Sequence, residues 1–303
     1  MGSRSMPDVE IHWQVNSSAG CFHTAECLLR GEPLQSEALA EAFAPLVDRL
    51  RPIIDASGLP AGTFLTHLVP LSAQLESNRP LATALLAKTF GPRNGEGYLS
   101  QLTNLLSEFE RTYEQHVPSP AEQLAESAAG LRQHWNAWGQ TMLAGIAQLI
   151  EPEAIVESAR VLLLSPVCSG GGRAYFLYNS VGIEVVATEP TGQLLEIVRL
   201  CWLIAQLNAD LPMYQGEIHR DRLVEIVPLA MLPAALTAAS ELGLTKCDKA
   251  TLSVALENWV RVSSELNSTS DPLWNWWETY IKRKPRWPVA LAALDKLLRA
   301  DEA

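Results

Sequence analysis

Val9, Ile11, Trp13 and Val15 alternate with Glu10, His12 and Gln14. A period of two predicts a half-buried strand over 9–15. Residues 16–20 read as a turn, with a helix after them over 21–30 that Gly31 and Pro33 end. From Ser36 onward the period changes. Phe43, Leu46, Val47, Leu50, Ile53 and Ile54 recur at helical spacing. Pro45, Pro52, Pro60, Pro70 and Pro80 are expected to divide that region into short or kinked helices. Residues 91–97 form a loop, and Leu99, Leu102, Leu105, Leu106 and Phe109 mark one face of the next helix. Residues 117–120 are linker-like. Ser119 can cap a helix that has Pro120 at its first position. That helix runs to about 150, with Trp135, Trp138, Met142 and Ile146 in one stripe.

Residues 160–208 carry the strongest signal. RVLLLSP, a glycine turn, RAYFLYN and GIEVVAT predict three strands, followed by a nearly all-apolar helix over 191–208. A long apolar helix over 217–242 comes next, interrupted by Pro228 and Pro233 and capped by Gly243. Asp248 caps a helix over 249–262, 263–270 is a polar loop, and two more helices follow Asp271-Pro272 and Trp287.

This pattern predicts a mostly helical α+β fold, with about four strands in a small, largely antiparallel sheet and the helices on one face. The glycines near 170 and the Asn179-Ser180 pair supply hairpin turns, and the 9–15 strand joins the same sheet. Residues 1–8 are expected to be a tag or disordered start. Residues 9–303 are expected to form one domain, read as 9–118, 119–150 and 151–303.

Composition narrows the function classes. A formal net charge of −11 argues against nucleic acid as a partner. The one basic cluster, Lys282, Arg283, Lys284 and Arg286, suits a helix C-terminus. Five scattered cysteines fit reduced thiols in the cytoplasm. No run is expected to reach the roughly 18 apolar residues of a membrane span, so no membrane is expected as partner.

The charges inside the oily block are the most informative chemistry. Arg173, Glu184, Glu196 and Arg199 sit in predicted strands and helix, and charges there need partners. Glu184 and Glu196 are the candidate acid–base residues. Glu196 and Arg199, three apart on a helix, can instead pair with each other, with Gln193 extending the polar stripe. Gly171, Arg173, Tyr175, Asn179 and Arg199 are the candidate binding residues beside an edge strand. Ser169 to Arg173 resembles a phosphate cradle only in composition, and a flexible hairpin is the favoured reading. Glu217, Asp221 and Glu225 form an acidic face, with His219 off it, that a helix N-terminus explains. Trp274, Trp276 and Trp277 cannot all face one way, so one is expected to reach solvent or a partner.

His23-Thr24-Ala25-Glu26-Cys27 resembles the H-x-x-E-H motif of inverted zinc peptidases, with Cys27 in place of the second histidine. His23 and Cys27 share a helix face, and both residue types bind zinc. A glycine-flanked strand, a second strand and a buried helix also resemble the layout of zincin metallopeptidases. That helix carries no histidine in this chain: none occurs between Val181 and Asp210. The resemblance therefore implies a scaffold without its metal chemistry and a groove that holds a peptide.

The expected function is a non-catalytic protein that binds a peptide, a protein or a small ligand, with no cofactor and no metal. One alternative is a hydrolase using zinc at His23, Glu26 and Cys27, or a carboxylate pair. The other is an interaction subunit working through the Trp-rich C-terminal region.

Overall fold

The computed structural model describes residues 8–91, 95–117, 120–168, 170–185, 194–209, 211, 214, 216–260 and 269–301. The expected tag or disordered start over 1–8 apart from Asp8, residues 118–119 of the linker with the Ser119 cap, Ser169, Gln193 and most of the 263–270 loop lie outside them.

The chain opens with β1 (Glu10–Val15) and α1 (Ser17–Leu29). Residues 17–20 are helical rather than a turn. The reason is Asn16, whose side chain accepts from the Ala19 amide at 2.8 Å and caps the helix. Four helices come after it: α2 (Glu37–Ala56), α3 (Ala61–Ser72), α4 (Asn78–Thr89) and α5 (Leu99–His116). Pro45 and Pro52 do not divide α2. Its buried face of Phe43, Leu46, Leu50 and Ile53 holds the helix together despite the missing N–H groups.

Next come α6 (Pro120–His134), a five-residue π-helical turn (Trp135–Gly139) and α7 (Gln140–Leu149), helical throughout as expected, but of the predicted stripe only Trp135, Met142 and Ile146 are buried and Trp138 is exposed. The strands β2 (Ser158–Leu164), β3 (Gly172–Tyr175) and β4 (Ser180–Glu184) precede α8 (Glu196–Ile204). The chain ends in α9 (Arg220–Glu241), α10 (Lys249–Ala255), α11 (Ser270–Arg283) and α12 (Trp287–Asp301). Pro228 and Pro233 lie inside α9 without breaking it. Gly243, at φ +72°, ends α9: its own amide bonds Ser240 O and the Leu244 amide bonds Ala239 O.

The sheet order is β1-β2-β4-β3. β1 pairs with β2 and β2 with β4 in parallel; only β3 and β4 are antiparallel. The sheet is therefore mixed, not largely antiparallel. The glycines near 170 do not close a hairpin, because β4 inserts between β2 and β3. The Asn179 turn does close one, with Asn179 itself at φ +47°.

Helices cover both faces, not one. Ala159, Val161 and Leu163 of β2 point into a core built with α6 to α12. Leu162 and Leu164 point the other way, into a core built with α1 to α5. The division falls at the 117–120 linker: the helices before it cover one face of the sheet, and the helices after it cover the other.

The Arg222–Glu241 part of α9 is long and apolar enough to cross a membrane, against the expectation that no run is. Its most apolar window is 72% buried inside the molecule, which accounts for the composition as that of a core helix.

Candidate functional site

The parallel pairing brings the ends of β2 and β4 together, and a buried polar cluster forms there. One part comes from α1, whose residues from Ala19 to Cys27 are all buried. His23, Thr24 and Glu26 are thus polar groups on a helix with no solvent face, and each needs a partner. Thr24 bonds the Gly20 carbonyl at 3.0 Å.

Glu184, the last residue of β4, is fully buried. Its Oε1 lies 2.9 Å from His23 Nε2 and accepts from the Cys168 amide at 2.9 Å. Its Oε2 accepts from the Gly170 and Gly171 amides, each at 2.9 Å. Burial pushes this carboxyl up, but the His23 bond and charge and the two glycine amides outweigh it and hold the group at about 2. Burial likewise works against the charged form of His23, while the Glu184 bond and the Glu184 and Glu26 charges raise its pKa above 6.5.

Glu26 is held separately. Arg30 Nε donates to its Oε1 at 3.1 Å, Arg173 Nε lies 3.1 Å from the same oxygen, and the Tyr175 hydroxyl donates to Oε2 at 2.9 Å. Arg173 also pairs with Glu32. From the opposite face, Arg199 donates to the carbonyls of Gly171 and Glu184, at 3.1 and 2.6 Å, and pairs with Glu196.

The predicted residues do not all come together. His23, Cys27 and Glu184 meet, although 161 positions separate His23 from Glu184. Gly171, Arg173, Tyr175 and Arg199 surround them but spend their polar groups on the protein itself. Glu196 and Arg199 lie across the sheet from the Glu184 carboxylate, so Glu184 and Glu196 do not form a carboxylate pair. Asn179 is exposed at the far turn, where its side chain donates to the Ser158 carbonyl. Sequence reasoning missed Glu32, Arg30 and Cys168, whose only signal is proximity to residues already suspected.

A nucleophile–histidine–carboxylate relay needs its nucleophile and its carboxylate on different ring nitrogens. Here Cys27 Sγ, at 3.6 Å, and Glu184 Oε1 approach the same one, Nε2. Nδ1 is buried and has no hydrogen-bond partner among the described residues. A Cys168 hydrogen bond and burial push the Cys27 thiol far up, away from the thiolate form. Nucleophilic chemistry at Cys27 finds no support in this arrangement.

Beside the cluster, outside the carboxyl ends of β2 and β4, lies an open cleft of about 330 Å³. Leu39, Val117, Leu124, Val167 and Val185 give it apolar walls, and Ser36, Ser127, Ser165 and His116 add hydrogen-bonding groups. Among the described residues, its lining contains no lysine, arginine, aspartate or glutamate.

The other candidate chemistry belongs to the scaffold. Glu225 pairs with Arg222, which also binds Asp295; the Asp221 side chain lies outside the described residues. Lys282 and Arg283 sit in the last turn of α11, as the helix dipole favours. Trp276, Trp277 and Trp287 are core residues, and the indoles of Trp276 and Trp277 bond Ala290 O and Thr237 Oγ1. Trp274 alone of the three near 276 is half-buried. Comparison with protein-family models, curated proteins and solved structures found no match.

Proposed function

We propose that this chain is a non-catalytic cytoplasmic binding protein, and that it takes a small uncharged ligand in the cleft at the carboxyl ends of β2 and β4. One observation carries the reading: the charged groups of the central block are turned inward and paired, while the described residues that line the open space beside them include no lysine, arginine, aspartate or glutamate. Crevices at this end of parallel strands are where ligands settle in open α/β sheets. The volume lies at the small end of the roughly 300–1,000 Å³ of ligand pockets. The same inward pairing weakens the hydrolase alternative. The buried indoles weaken the interaction-subunit alternative, and the five free cysteines support a reducing compartment.

The test is fluorine NMR with a library of small fluorinated aromatic amides, on wild-type protein and on Ser127→Trp, which fills the cleft from its rim. Compounds should broaden with wild type and recover sharp signals with the variant. Binding that survives Ser127→Trp, or no binding at all, overturns the proposal.

A further inference from the structure

The geometry points to a second site that does not depend on the cleft: we infer that His23, Cys27 and Glu184 hold a zinc ion in the interior, with Cys168 completing its coordination. The ligand atoms of His23, Cys27 and Glu184 all lie within 4.8 Å of one another, and all three residues are buried. On a tetrahedral zinc, bond lengths of about 2.05 Å to nitrogen and 2.3 Å to sulfur put those two atoms about 3.5 Å apart. His23 Nε2 and Cys27 Sγ are 3.6 Å apart. The Nε2···Oε1 distance is 2.9 Å, so the carboxylate needs to move by only about 0.4 Å to reach tetrahedral spacing. Cys27 is also a member of a second cluster, with Glu32 and Cys168, which makes the Cys168 thiol the next donor at hand.

Three further features fit. Two different donors are aimed at one ring nitrogen, an arrangement that one proton cannot satisfy and one metal ion can. The Glu184 carboxylate is already oriented by the amides of Cys168, Gly170 and Gly171, the outer-shell support that fixed ligands have. A divalent ion with the Cys27 and Cys168 thiolates, the Glu184 carboxylate and neutral His23 leaves one net negative charge, and the Arg173 guanidinium acts on the same cluster to offset it. Binding releases to solvent the thiol protons of Cys27 and Cys168 and the proton between His23 and Glu184, which leaves the ring proton of neutral His23 on Nδ1. A mixed nitrogen, sulfur and oxygen set closed off from solvent suits zinc in a structural role. Glu26, the glutamate of the sequence motif, is not a ligand, because Arg30, Arg173 and Tyr175 hold it.

The experiment is metal analysis of the untagged protein purified without chelator, followed by chelation and titration with cobalt(II). The expected results are stoichiometric zinc and, with cobalt, a thiolate-to-metal charge-transfer band in the near ultraviolet. Cys27→Ser should lose that band and bind zinc at least tenfold more weakly, while Cys247→Ser keeps both. Should Cys27→Ser fail to fold, the wild-type cobalt spectrum decides alone: d–d bands of a tetrahedral ion with a thiolate band support the site. Protein that takes up neither metal, uptake unaffected by a folded Cys27→Ser, or a cobalt complex without the thiolate band overturns it. A Cys27–Cys168 disulfide in protein isolated under non-reducing conditions, found by mass spectrometry, overturns it as well.

Discussion

Replacing Glu184 by alanine tests the central reading of the cluster as a scaffold. The side chain accepts from three buried amides, those of Cys168, Gly170 and Gly171, and it pairs with His23. Each amide left without a partner costs about 1–3 kcal/mol, so the three together give about 3–9 kcal/mol before any water enters. Water filling the vacated space recovers part of this, so the expected loss is about 2–6 kcal/mol. A chain of this kind has only about 5–15 kcal/mol in total, so the variant should lose a sizeable share of its stability. Glutamine retains one oxygen. Placed at the Oε2 position, that oxygen keeps the Gly170 and Gly171 bonds, and the loss should be about half as large. The assay is urea unfolding followed by circular dichroism, with chelator present so that metal binding does not contribute. Midpoints should fall while the denaturant dependence stays constant. A loss below about 1 kcal/mol in both variants refutes the argument, because the loop would then not depend on the carboxylate.

Two other sites give independent checks. Burial, with Lys88 nearby, holds His67 below the usual 6.5, and its Nδ1 lies 2.6 Å from the Tyr178 hydroxyl. The unfolded chain takes this proton first, so the stability from neutral His67 is fully present above pH 6.5 and is lost as pH falls through the lower folded value. His67→Gln should therefore lose less stability than wild type over that acid range in pH-resolved thermal unfolding; an unchanged slope sinks the assignment. A Cβ at Gly172 would lie 2.8 Å from Leu203 Cδ1 and 3.1 Å from the Gly182 carbonyl oxygen. Gly172→Ala should cost about 1–3 kcal/mol, while Gly97→Ala, facing open space, should stay within about 0.5 kcal/mol of wild type. Equal melting temperatures for the two variants would contradict the close packing of β3 on α8.

Local signals are legible in the sequence where one residue decides them. Gly243 ends α9 and Asp248 caps α10, accepting from the Thr251 amide at 2.8 Å, because each needs only its own neighbours. Strand pairing is harder to read, because closeness in sequence favours hairpins that the chain does not form. A better signal lies in RVLLLSP itself: consecutive apolar residues without alternation mark a strand buried on both faces with parallel neighbours. The prolines of α2 weigh less than their number suggests, since a lost N–H matters less than a continuous buried face. At the site, the His23–Cys27 spacing and the anomalous charge at Glu184 are each visible. Their meeting is not, because no local pattern links residues 161 positions apart.

The topology explains why charges occupy this oily block at all. After β2 the chain must pass over the end of β4 to reach the edge and return as β3. All the described residues of that crossing except Pro166 are buried, so its inner amides and carbonyls are shielded from water and must find partners. Glu184 takes the amides from one face of the sheet, and Arg199 takes the Gly171 carbonyl from the other. Gly170 permits the bend, at φ +94°. A carboxylate placed for this task is already desolvated, oriented and next to a histidine. The groups that hold the crossing in place are therefore the same groups that a metal ion would need, and one residue, Glu184, connects the fold to the proposed zinc site.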